Sequence, residues 1–315
     1  MPEHFVAYAE EFLDVIGPNP SYEVIAPADA HEGPVYVRDW NALLFTSVPA
    51  TTNVPAAGDR RVVIGRLDVA TGALSVFREE SNMGNGMTLD RDGRLLICEQ
   101  GSQTTRARIS RLDLGTGHIE TVTDHWFGLP FNSPNDVVVK SDGTVWFTDP
   151  SYGALQGFRP PPLSGDYVYR YDPRDRSTTV IADSFNKPNG LCFSPDESIL
   201  YINDSAAIQG PGTYYPALPH HIRAFDVLDG THLGPSRLFA TITPGIPDGL
   251  KCDAAGRVYS SSFTGVQVFD PRGRILGEIL ASGVANFCFG GERNDTLFMM
   301  CDSQIAVARI AARGA

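Results

Sequence analysis

The chain has 315 residues, with 25 Lys and Arg against 37 Asp and Glu, a formal charge of −12 and a pI near 5.0. That acidity speaks against nucleic acid or an anionic membrane as the main partner, because both recruit basic surface. At 42% hydrophobic and 20% charged the sequence can bury a large core, and 31 Gly with 23 Pro spread along it favour short strands and turns over helices.

Residues 4–16 space Phe5, Ala9, Phe12, Leu13 and Ile16 as a short helix would, within an N-terminal extension of residues 1–20 that precedes one domain, 21–315. The opening Met1-Pro2-Glu3-His4-Phe5 lacks the basic start and apolar core of a secretory signal, and no run approaches the roughly 20 apolar residues of a membrane span. Cys98, Cys192, Cys252, Cys288 and Cys301 are widely spaced with no Cys-x-x-Cys pair, which reads as reduced thiols in a cytoplasmic protein. Residues 21–26 (SYEVIA) form a β-rich stretch ahead of a repeat.

The repeat sets the architecture. Gly84-Asn85-Gly86-Met87, Pro134-Asn135-Asp136-Val137, Pro188-Asn189-Gly190-Leu191, Pro247-Asp248-Gly249-Leu250 and Ala285-Asn286-Phe287-Cys288 align without gaps, together with the residues just C-terminal to each, and Glu32 opens a sixth unit. Each polar residue is succeeded by a turn and then by a large apolar residue (Leu43, Leu96, Trp146, Leu200, Tyr259 and Leu297). Each unit therefore reads as strand, turn, strand, and second hairpins turn at Thr71-Gly72, Thr116-Gly117, Pro173-Arg174 and Arg272-Gly273. Six such units predict an all-β, six-bladed propeller with four-stranded blades. The last unit is one strand short, so residues 21–26 are expected to supply its outer strand and close the ring.

In a propeller the first strand of each blade lines the central channel, so Glu32, Asn85, Asn135, Asn189, Asp248 and Asn286 converge on one end of the axis. Two carboxylates and four carboxamides form an all-oxygen set suited to one hard divalent cation, calcium first, with magnesium or manganese next. Asn, Asp and Gly also punctuate turns, but six in phase exceed what turn chemistry requires. The loops after the second strands lie on the same face. Three are long (47–60, 150–166 and 205–220), and they bring Tyr152, Phe158, Arg159, Tyr214, Tyr215 and His220 toward a ligand. Glu99, Asp149 and Asn203 end returning strands there, while Asp204 faces the other way and reads as a loop anchor.

Over residues 29–302 the chain resembles the gluconolactonase/regucalcin (senescence marker protein) family. The likeness is most specific at His31-Glu32-Gly33-Pro34, at Asn132-Ser133-Pro134-Asn135-Asp136, from Val145 to Gly153, at Lys187-Pro188-Asn189-Gly190-Leu191 and at Pro247-Asp248-Gly249. The bacterial gluconolactonase branch is the nearest in pattern. The resemblance implies a calcium propeller that hydrolyses sugar lactones. In it Glu32, Asn189 and Asp248 would bind metal, Asn135 would stand at the metal or between metal and substrate, and Asp248 would be the general base. The substrate-facing set is then Asn85, Glu99, Asn135, Tyr152, Arg159 and Tyr214. Cys98-Glu99-Gln100 departs from a Cys-Glu-His common in gluconolactonases, which bears on sugar preference. Two further readings stay open at this level. One is hydrolysis of organophosphates or aryl esters, as in propellers resembling diisopropyl-fluorophosphatase or paraoxonase. The other is a metal- or ligand-binding propeller without turnover.

Overall fold

The computed structural model describes residues 2–51, 60–210 and 212–315. Alternating apolar positions bounded by Gly and Asp turns give six antiparallel sheets, each built outward from a first strand: Glu32–Val37, Gly84–Leu89, Val137–Val139, Pro188–Phe193, Leu250–Cys252 and Asn286–Gly290. Each of these strands packs against its two neighbours, and the last packs against the first, so the six close a circle around one axis. This is the six-bladed β-propeller predicted from the repeat.

The second strands return antiparallel, as in Leu95–Glu99 against Gly84–Leu89 and Ile199–Asp204 against Pro188–Phe193. Adjacent sheets bury their facing sides against one another. Leu96, Phe131, Phe147 and Tyr169 fill the space between blades 2 and 3. Trp146, Leu191, Leu200 and Ile202 do the same between blades 3 and 4.

Closure takes the expected route but reaches further. Ser21–Ala30 forms the outer strand of the sixth blade, pairing with Asp302–Arg309 from Ser21↔Arg309 to Ala30↔Asp302. Only His31 then separates it from Glu32 and the first blade. Residues 4–16 do not form one helix. Phe5–Ala7 adds a fifth strand to the edge of blade 5, in register Phe5↔Ile279, and only Phe12–Ile16 is helical. Phe12, Val15 and Ile16 sink into the core between blades 5 and 6, and the Phe12 ring lies on Gly277, where a Cβ would come within 2.4 Å of it. The ring needs that glycine, because any side chain would occupy its place. Among the described residues no helix is long and apolar enough to cross a membrane.

The N-terminal helix is thus a wedge in the core. Phe12→Ala is expected to destabilise the protein by about 3–5 kcal/mol, the usual cost of emptying a fully buried phenylalanine site. A urea midpoint indistinguishable from wild type would show that the wedge contributes little.

Candidate active site

The six axial residues arrive at one end of the channel because each begins, or shortly precedes, a first strand. Neighbouring blades are fastened to one another at this level. Thr46 Oγ1 donates to Asn85 O (3.2 Å), Gly86 N to Asn135 O (2.8 Å) and Thr148 Oγ1 to Asn189 O (2.8 Å). Asn203 Nδ2 donates to Asp248 O (2.7 Å), Gly249 N to Ala285 O (2.8 Å), and Asn286 Nδ2 to Glu32 Oε2 (2.7 Å). Every donor belongs to one blade and every acceptor to the next, and the last bond returns to the first blade.

The glycines next to the axial residues are required by this closeness. A Cβ on Gly33 would stand 2.3 Å from Asn85 O, on Gly86 2.4 Å from Asn135 O, and on Gly190 2.0 Å from Asp248 O. On Gly249 it would stand 2.5 Å from Asn286 Oδ1. Blade 6 has Phe287 at this step, and blade 3 alone puts a charged side chain in the glycine slot, Asp136. Its side chain is buried, Oδ1 accepts from Val137 N, and Oδ2 has no partner among the described residues. Sequence reasoning misses Asp136 because the repeat draws the eye to Asn135 beside it. The signal is present in the comparison of Asn135-Asp136 with Asn85-Gly86 and Asn189-Gly190.

Three carboxyls therefore influence one another inside the channel. Burial, and after it the facing Glu32, holds the Asp248 carboxyl well above the usual range, while the Asn189 carboxamide favours its ionised form. Glu32 is raised by burial and by Asp136, against His31 and the bonds from Asn286 and Gly33 N. Asp136 is raised by burial, with the Lys251 ammonium and backbone N–H groups opposing. Around them Asn85 Oδ1, Asn135 Oδ1 and Asn203 Oδ1 are buried acceptors with no donor among the described residues. Buried oxygens left without donors, beside carboxyls that resist ionising together, make a cavity short of positive charge. Among the described residues no three His, Cys, Asp or Glu side chains gather closely enough to hold a metal by themselves. A cation here would need the carboxamides, and Glu32, Asn135, Asn189 and Asp248 are the residues that could hold it.

The loop residues divide. Tyr152, on the short helix Tyr152–Leu155, is buried with its hydroxyl donating to Ser205 O (3.3 Å), and burial and the charge of Asp248 raise its pKa steeply. It stands beside the axial Asp248 and Asn189. Arg159 does not reach a ligand as expected. Its side chain is buried and donates to four carbonyls, Asn132 O, Phe131 O, Ser102 O and Thr105 O, at 2.7–3.0 Å, so it clamps two loops together. Glu99 is also occupied, accepting from Arg108 Nε (2.7 Å), Arg108 Nη2 (3.1 Å) and Asn82 Nδ2 (2.9 Å), so its carboxylate pairs with an arginine instead of facing a ligand alone.

Asp149 and Asn203 both lie at strand ends, but Thr148 is the true counterpart of Asn203. Asp149 instead receives Asn132 N and Ser133 N (2.9 and 2.8 Å) just as Asp204 receives Asn186 N and Lys187 N (3.0 Å each). Both are loop anchors, and burial pushes Asp149 up to about 8. Tyr214 stands exposed on the rim beside Phe263. Most of the 47–60 loop lies outside the described residues.

Residues 30–302 match the family model described as the SMP-30/Gluconolactonase/LRE-like region. A gluconolactonase of Zymomonas mobilis is 32% identical over 323 aligned residues, covering 97% of this chain and 85% of the relative. A lactonohydrolase of Aspergillus oryzae is 27% identical, covering 95% and 72%. The structure of a gluconolactonase from Xanthomonas campestris superposes with a TM-score of 0.81 at 28% identity, covering 98% of this chain and 95% of that one.

The glycine slots give a direct test of the ring. Gly190→Ala is expected to destabilise by about 1–3 kcal/mol, the usual effect of overpacking, here against the Asp248 backbone. Gly115→Ala, whose Cβ would meet only Asp113 Oδ1 at 3.5 Å, should change stability by less than about 0.5 kcal/mol. Equal denaturation midpoints for the two variants would mean that the blades yield at the axis.

Proposed function

The chain belongs to the SMP-30/gluconolactonase/LRE-like family, and from that premise we propose that it is a metal-dependent hydrolase opening a sugar-type lactone. The observation that carries the metal part is the set of buried axial oxygens left without donors around the Glu32–Asp248 pair. Glu32, Asn135, Asn189 and Asp248 would hold one divalent cation, calcium before manganese or magnesium, because every donor is a hard oxygen. Such a cation supplies a Lewis acid for the lactone carbonyl.

The chain's own groups account for the rest. Asp248 is fixed at both backbone ends, donating its N–H to Ser261 Oγ (3.0 Å) and accepting from Asn203 Nδ2 at its carbonyl (2.7 Å). Only its side chain is left to act, and that side chain points among the axial oxygens. It takes the proton of a water as the water's oxygen bonds to the lactone carbonyl carbon. The ring C–O bond then breaks, and the proton passes to the departing alkoxide to give a hydroxy acid. Glu32 is held in place by Asn286 and Gly33 N, and its charge keeps Asp248 basic. Tyr152 covers the flank beside Asn189 and Asp248 and excludes water there. The five cysteines are all unpaired thiols, which supports a reducing compartment such as the cytoplasm.

Chelation should abolish lactone hydrolysis and added calcium, manganese or magnesium should restore it; full activity in exhaustively demetallated protein would sink the metal reading. Asp248→Asn keeps an oxygen at the axis and removes the base. At saturating cation it is expected to lower kcat by about 10²–10⁴-fold, the usual cost of a lost general base. Recovery to near wild-type kcat once the cation is saturating would reduce Asp248 to a ligand.

A further inference from the structure

The channel has a second end. Beyond the axial oxygens the first strands run on to a cavity of about 370 Å³, lined in part by Tyr36 of blade 1, Met87 of blade 2, Val137 of blade 3, Lys251 and Cys252 of blade 5 and Cys288 of blade 6. Nothing in lactone opening uses this end, and two thiols meet at its wall. Cys192, on Pro188–Phe193 of blade 4, and Cys252, on Leu250–Cys252 of blade 5, bring their Sγ atoms to 3.6 Å although they are 60 residues apart in the chain. Among the described residues this is the only cysteine pair that hydrogen-bonds, and all five cysteines are free thiols.

The pair crosses a blade boundary, on the two strands that lead on from Asn189 and Asp248. Both side chains sit in the core between blades 4 and 5 with Tyr201, Ile222 and Leu250, and close packing there keeps the sulfurs from drifting apart. A covalent bond would draw them about 1.5 Å closer, within the reach of small side-chain rotations. Of the two, only Cys252 lines the cavity, so an oxidant arriving there meets one sulfur with a second directly behind it. The Cys192 contact and burial hold the Cys252 thiol well above the usual range, with the Lys251 ammonium acting against them. Thiolate is therefore scarce, which keeps the pair reduced under ordinary conditions and makes its oxidation slow.

We propose that Cys192 and Cys252 are an oxidative modification site, at which hydrogen peroxide closes a disulfide latch between blades 4 and 5. Peroxide enters the cavity and the Cys252 thiolate attacks one of its oxygens. The O–O bond breaks, a water leaves, and Cys252 keeps the other oxygen as a sulfenic acid. The Cys192 sulfur then bonds to the Cys252 sulfur, the S–O bond breaks, and a second water carries away the last proton. The two thiols have together given up two electrons and two protons, all taken by the peroxide. A dithiol reductant reverses the step. The closed latch restrains the unfolded chain more than the folded one, and so makes the oxidised protein harder to unfold. None of this depends on what the axial oxygens do at the other end of the channel.

The test treats the folded full-length protein with hydrogen peroxide, then counts thiols after denaturation. The count should fall from five to three, and dithiothreitol should restore it. A peptide map without reductant should join Cys192 to Cys252. The oxidised protein is expected to unfold at a urea midpoint about 1 M above the reduced one, the scale of a single disulfide closing a long loop. Cys192→Ser removes the resolving sulfur, so Cys252 should stop at the sulfenic acid and be labelled by dimedone, which wild type resists. The wild-type map decides the pairing even if a serine variant fails to fold. An unchanged thiol count, a cross-link from either cysteine to Cys288, or sulfinic acid at Cys252 with Cys192 still a thiol overturns the site. A bond that forms without raising the midpoint overturns the latch.

Discussion

Six hydrogen bonds, one across each blade boundary, hold the axial end of this protein shut. Their donors are side chains or amides of one blade, and five of the six acceptors are backbone carbonyls of the next. A bond of this kind contributes only about 1 kcal/mol net, but leaving its buried partner unsatisfied costs more. The blades are consequently fixed relative to one another at the level of the axial carboxyls, which are positioned by the backbone that carries them. The Asn286–Glu32 bond is the exception, because it closes the circle on a carboxylate.

That rigidity permits an arrangement which a looser structure would relieve. Glu32, Asp136 and Asp248 sit in a channel where burial raises all three, and Lys251 is the ammonium that acts against the burial of Asp136. Repulsion of this kind is tolerated because the scaffold that imposes it is spread over six sheets and their intervening cores. The loops above the ring are pinned in a similar way. Asp149, Asp204 and Arg159 direct their charge at backbone groups.

How much of this is legible in the sequence depends on repetition. The propeller, its closing strand and the axial residues are visible because each recurs in phase, and a recurring oxygen-bearing side chain at one strand position cannot be an accident of one turn. Asp136 recurs nowhere, and it hides in the slot where blades 1, 2, 4 and 5 keep glycine. Arg159 and Glu99 lie on the face their positions indicate but differ in role, since loop position says which side of the ring a residue is on and not whether its side chain turns inward to carbonyls or pairs with Arg108. Asp149 differs from expectation by one residue. In a strand, one step reverses the side, and sequence alone does not show that Thr148 rather than Asp149 matches Asn203. The edge strand Phe5–Ala7 is too short for any period to declare itself, and Phe12 reads only as part of a helix, with no hint of the glycine beneath it.

The closing strand carries a consequence for synthesis. Ser21–Ala30 emerges from the ribosome early, yet its partner Asp302–Arg309 is made only after all the other strands. Throughout translation it must wait as a naked strand edge, the kind of surface that recruits other chains. Its sequence is suited to waiting. Glu23 and Asp29 bring charge and Pro27 removes a donor, all within one ten-residue strand. The clasp that finishes the ring is therefore built to be a poor template for neighbouring nascent chains until its own partner arrives.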